Sequence, residues 1–133
     1  MLTGSCLCRA VKYEINGPLD GFVHCHCHTC RKVHGTVYGS SAQVRREHFR
    51  LVSGADSLAA YESSPGKERC FCRVCGSHVF ARLHSEPEVV ILRIGTLDTA
   101  PGQRPEAHIW VSHKAPWYEI LDDLPRFKEG MSS

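Results

Sequence analysis

The sequence predicts a mainly β, zinc-binding domain of antiparallel sheets with very little helix. Three observations point there. The chain has 133 residues, enough for one hydrophobic core but small enough to gain from metal cross-links. Its apolar residues come in short runs broken by Gly, Pro and Asn, and nowhere sustain a 3.6-residue period. Its eight cysteines fall into groups with ligand spacing: Cys6 and Cys8, then Cys25, Cys27 and Cys30, then Cys70, Cys72 and Cys75.

Residues 10–15 (AVKYEI) alternate apolar with polar and stop at Asn16, Gly17 and Pro18, which reads as a strand and a turn. A second strand opens over residues 21–24. Residues 36–44 are small and β-branched and residues 49–52 are short and apolar, so both read as strands. Residues 54–57 form a turn, 58–62 a further strand, and 63–66 (SSPG) a loop. Strands are predicted over 79–83 and 89–94, the second with a continuous Val89, Val90, Ile91, Leu92 run that suits a sheet covered on both faces. Helix is limited to one turn over residues 29–34 and a short piece within 117–123. The expected organisation is a single domain, residues 1–125, and a polar tail, 126–133 (RFKEGMSS), frayed at its end.

Composition narrows the class. At 42% hydrophobic and 8% aromatic the chain is too apolar for disorder, and it has no apolar run long enough to span a bilayer, so no membrane is expected. The first ten residues lack a basic flank followed by an apolar core. A cytoplasmic, reducing location is therefore expected, where thiols stay free for metal rather than pairing as disulfides. The net charge is +2, and apart from Arg45, Arg46 and Arg50 the basic residues are scattered; without a basic stripe interleaved with aromatics, no nucleic-acid partner is expected. Sheet edges leave a homo-oligomer open.

Zinc(II) takes thiolate ligands in tetrahedral geometry, and two cysteines one or two residues apart grip one ion while a distant pair completes its shell. Cys6 and Cys8 with Cys72 and Cys75 read as such a closed structural site, and Gly76 follows the knuckle where positive φ is needed. Its four thiolates carry an excess negative charge to be offset by backbone N–H groups or by Arg9, Lys67, Arg69 or Arg73. Cys25, Cys27 and Cys30 supply three thiolates, leaving a fourth position for a substrate atom, as in catalytic zinc. Cys70 is the alternative: a fourth ligand there, a neighbour of the first metal, or a spare buried thiol. His24, His26 and His28, interleaved with the three cysteines, are candidates for proton transfer.

Taken together, GSCLCRAVKYEI from Gly4, CHCHTCRKVHG from Cys25, CFCRVCGSHVF from Cys70, IGTLD from Ile94 and HIWVSHKAPWYEI from His108 resemble the glutathione-dependent formaldehyde-activating enzyme family, which includes centromere protein V-like proteins. The resemblance runs in order along almost the whole chain. It implies a β-tent fold with two zinc ions, a structural one on Cys6, Cys8, Cys72 and Cys75 and a catalytic one on Cys25, Cys27 and Cys30. The implied activity is a carbon–sulfur lyase reaction: reversible addition of a thiol such as glutathione to formaldehyde or a related aldehyde, giving S-hydroxymethylglutathione. The thiol's carboxylates would want cationic partners among Lys32, Arg45, Arg46 and Lys114, while Trp110 and Trp117 read as core aromatics. The alternative function is a non-catalytic, zinc-stabilised binding module.

Overall fold

The computed structural model describes residues 1–131, which fall into two compact units. The fraying expected at the end of the tail, at residues 132 and 133, lies outside the described residues.

The first unit comprises Met1–Asp20 and Ala42–Gly102. Strands β1 (Leu2–Ser5), β2 (Lys12–Ile15) and β5 (Phe49–Ser53) form an antiparallel sheet with β2 in the middle, Leu2 opposite Ile15 and Ile15 opposite Phe49. Alternation along β2 turns Tyr13 and Ile15 inward, where with Val11 they are fully buried. Gly4 lies directly over the Tyr13 ring: a Cβ built on it would stand 2.1 Å from the ring, so β1 can seat there only without a side chain.

Strands β6 (Leu58–Ser64), β7 (Lys67–Cys72), β8 (His78–Leu83) and β9 (Glu86–Arg93) follow as an antiparallel meander. The predicted loop at 63–66 shrinks to Pro65 and Gly66, because β6 runs on through Ser64. Neither β1 nor β7 carries enough alternation to be read as a strand beforehand; pairing with β2 and β8 makes them so. In β9 the continuous apolar run alternates after all, with Val90 and Leu92 buried and Val89 and Ile91 half-buried.

The second unit comprises Gly21–Ser41 and residues 103–131. Here β3 (Asp20–Cys25) leads into helix α1 (His28–His34), then into β4 (Gly39–Arg45), which begins in this unit and ends in the first. Strand β10 (Ala107–Ile109) lies parallel to β3, Ile109 against Cys25. The tail pairs back along the chain: Phe127 N–H donates to the His108 carbonyl at 2.9 Å and Trp110 N–H to that of Glu129 at 2.9 Å. The helical piece expected within 117–123 is a turn instead. Side chains intercept the backbone groups a helix would use: Arg126 donates to the Ile120 carbonyl at 3.1 Å, and Asp122 accepts from the Leu124 N–H at 3.0 Å. Among the described residues no helix is long and apolar enough to cross a membrane.

Candidate metal centres

The eight cysteines are all free thiols, and seven of them gather into two groups. In the first unit the sulfurs of Cys6, Cys8, Cys72 and Cys75 all lie within 4.8 Å of one another. Cys6 to Cys8 is 3.6 Å and Cys8 to Cys72 is 3.8 Å. A tetrahedron with zinc–sulfur bonds of about 2.3 Å has edges of about 3.8 Å, so the group has the size that ion needs and is far too open for disulfides.

Two tight turns build it. After β1 the chain turns at Cys8-Arg9, where Arg9 takes φ 67 and donates its N–H to the Cys6 carbonyl at 3.0 Å. After β7 it turns at Cys75, where Gly76 takes φ 81 and donates to the Cys72 carbonyl at 2.7 Å, the conformation its sequence position predicts. Donors then point at the sulfurs: the N–H of Val11 at Cys6 (3.3 Å), that of Val74 at Cys72 (3.4 Å) and the Ser77 hydroxyl at Cys75 (3.3 Å). The Ser77 hydroxyl, followed by the backbone N–H groups of Ser77 and Cys8, brings the Cys75 thiol down to about 5. Of the expected cations, Arg73 is held by the Leu58 carbonyl and Arg69 by Ser63.

In the second unit Cys25, Cys27 and Cys30 converge at the junction of β3 and α1, again with every sulfur within 4.8 Å of the others. Cys27 caps the helix, its sulfur accepting from the Cys30 N–H at 3.3 Å, so one side chain serves both helix start and ligand set. The Cys25 thiol is pushed strongly upward by the neighbouring Cys27 and Cys30 sulfurs and by burial. Three crowded, mostly buried sulfurs cannot all ionise unless a cation sits among them, so this donor set also fits a metal ion. No fourth Cys, His, Asp or Glu atom joins the three among the described residues. Cys70 belongs to neither group. A register shift between Cys70 and Phe71 breaks the simple alternation that would have aligned it with Cys72.

The interleaved histidines separate by environment. His24 bonds through Nδ1 to the Ser40 hydroxyl at 2.8 Å, and His28 stacks on His113. His26 is fully buried; its Nε2 lies 2.8 Å from His108 Nδ1, and His108 Nε2 lies 2.9 Å from Asp122. A carboxylate only accepts, so His108 donates from Nε2; in a neutral imidazole the other nitrogen, Nδ1, then accepts, and its bond comes from His26 Nε2–H. That leaves His26 Nδ1 as a buried lone pair with no hydrogen-bond partner. Burial, then the facing His108, draws His26 down to about 4, so its ring is neutral near pH 7. His108 and Asp122 were not found by sequence reasoning. The signal available was His108 in the HIWV motif, with nothing linking it to residue 26.

Beside α1, His28, Arg31, Lys32, Gly35, Thr36 and Trp117 line a cavity of about 260 Å³. Trp117, expected in the core, is 70% exposed. Arg31 is fixed by a bond from Nη1 to the His113 carbonyl at 2.9 Å, and the Lys114 ammonium by the Ala115 and Tyr118 carbonyls.

The family model for the glutathione-dependent formaldehyde-activating enzyme matches residues 1–113. The chain belongs to that family. A Halomonas elongata protein provisionally named glutathione-dependent formaldehyde-activating enzyme is 32% identical over 129 residues, spanning 90% of this chain and 81% of that protein. An Aspergillus flavus protein with the same provisional name is 29% identical over 80 residues, 59% of this chain and 42% of the fungal one. A crystal structure of a Rhodobacter sphaeroides protein superposes on this family member with a TM-score of 0.63 at 27% identity, over 77% of this chain and 97% of that one.

Proposed function

We propose that this family member is a zinc-dependent carbon–sulfur lyase that reversibly adds a thiol such as glutathione to formaldehyde or a related aldehyde. The observation that carries the reading is the set of three sulfurs, Cys25, Cys27 and Cys30, with no fourth ligand atom among the described residues. In this reading those cysteines hold the reactive ion, and Cys6, Cys8, Cys72 and Cys75 hold a second, structural one. A zinc ion with a free position supplies positive charge that keeps an incoming thiol as thiolate near neutral pH.

The chain's own groups do the rest. Cys27 ties the ligand set to the start of α1, so the three sulfurs keep their spacing when substrate arrives. Asp122 and His108 fix the His26 ring in one tautomer, so that Nδ1 can hold a proton exchanged between the thiol and the adduct's hydroxyl. Arg31, Lys32 and the exposed Trp117 around the neighbouring cavity offer cations and a flat apolar face to an acidic peptide thiol. The partner expected is thus a small thiol or its aldehyde adduct.

The test is the rate at which free and hydroxymethylated glutathione interconvert, read by NMR exchange spectroscopy with and without protein. Uncatalysed addition sets the background. The wild-type chain with two zinc ions should raise the rate well above it, and Cys27→Ser should return it to background. Unchanged turnover and unchanged zinc in Cys27→Ser would sink the proposal.

A further inference from the structure

A second cavity, of about 430 Å³, opens entirely within the first unit and uses no residue of either sulfur group. Its origin is legible in the strand register. Ala60, Cys70 and Phe80 are direct partners across β6, β7 and β8, so they share one face of the meander, and Arg82 lies two residues beyond Phe80 on that face. Phe49 and Leu51 of β5 also line the space, the Phe49 ring meeting the Phe80 ring edge-on at 5.3 Å between centroids. Alanines at 55, 59 and 60 leave open what larger side chains would fill. The volume falls in the range of small-molecule pockets.

Its charges are all of one kind at the lining: Arg46 and Arg82. Arg46 has no carboxylate partner among the described residues, the adjacent Glu47 being shared by Arg45 at 3.7 Å and His48 at 3.9 Å. Arg82 bonds Glu68 through Nε at 3.1 Å, but the same oxygen also serves His84 at 2.9 Å. One divided carboxylate therefore answers Arg82 and none answers Arg46. Guanidinium groups beside an apolar, aromatic wall match a ligand with an anionic head and an apolar body.

We propose that this cavity binds a small amphipathic carboxylate, its alkyl or aryl body against Phe49, Leu51 and Phe80 and its carboxylate held by Arg46 and Arg82. The inference does not rest on the lyase reading, since the two places share no residue.

The experiment titrates octanoate, octanol and octyltrimethylammonium into the full-length, zinc-loaded, ¹⁵N-labelled protein and follows backbone amide signals. Octanoate should bind saturably in the millimolar range and move the signals of Leu58, Ala59, Ala60, Cys70 and Arg82. Octanol should bind more than about tenfold more weakly and the cationic probe not at all, because each of the two charge-assisted pairs it lacks accounts for about a factor of ten. Arg46→Gln, at an exposed position, should weaken octanoate about tenfold while leaving octanol unchanged. Ala60→Trp, which fills the cavity, should abolish both; zinc content and the cooperative thermal transition of each variant report that the rest of the molecule is intact. Equal affinities for octanoate and octanol, or shifts that survive Ala60→Trp, would overturn the proposal. So would the absence of saturable octanoate binding.

Discussion

The two sulfur groups use the same ligand atom at nearly the same spacing, yet they are assembled in opposite ways. The four-sulfur group joins Cys8 to Cys72 across 64 positions and borrows its geometry from two strands and two tight turns. The three-sulfur group is contained within six consecutive residues and borrows its geometry from the start of one short helix. The difference teaches that the number of sulfurs gathered and the span of chain that gathers them are linked here. A metal bound by distant segments would hold a fold together, whereas a metal bound by one local segment would leave the fold to other forces.

The sharpest way to break that comparison is to remove one sulfur from each group. Cys72→Ser should cost most: structural zinc contributes on the order of 10 kcal/mol in small zinc domains, comparable with a whole domain's stability of about 5–15 kcal/mol. The variant should show no cooperative thermal transition; a normal one would mean that the four-sulfur group is dispensable. Cys27→Ser, by contrast, should keep a cooperative transition while elemental analysis finds one zinc fewer and thiol–formaldehyde exchange drops to background. Next in size, His26→Gln should keep both ions and lower exchange by about 100-fold, the usual weight of a positioned proton carrier. Parallel loss of zinc would instead make His26 part of the ligand set's support.

A smaller effect probes the first group alone. Gly4→Ala pushes a methyl into the Tyr13 ring, and overpacking of this kind costs about 1–3 kcal/mol. Thermal unfolding should show that loss, and a chelator should extract the four-sulfur ion faster while exchange at the other site is unchanged. The smallest effect is on pH dependence. Burial raises Tyr13 to about 12. A group whose pKa is higher folded than unfolded contributes stability below the unfolded value, about 10, and loses it as pH rises through the folded one. Denaturant titrations between those values should show stability falling for wild type and falling less steeply for Tyr13→Phe.

What could be read beforehand follows the same division between local and distant. The 10–15 alternation, the 79–83 run and the helical turn after Cys27 are local signals, and β2, β8 and α1 stand within a residue or two of where they pointed. The cysteine groups were legible for a similar reason, since ligand spacing of one or two residues is itself a local pattern. Strands β1, β7 and β10 were not, because each depends on a partner elsewhere, and no sequence period announces that β10 would lie parallel to β3. The His26, His108 and Asp122 chain was hidden for that reason too: its first bond joins residues 82 positions apart. Trp117 misled because a large aromatic is more often buried than offered to solvent.

The contrast in span also sets an order in time. The three-sulfur segment needs only a few residues of chain to gather its ligands, so it can capture an ion while the rest of the chain is still unfolded. The four-sulfur group must first bring residue 8 to residue 72, a closure that waits for most of the β meander. Metal supplied at the start of refolding would therefore meet the short segment first, and an ion on the four-sulfur group would be the last to be bound.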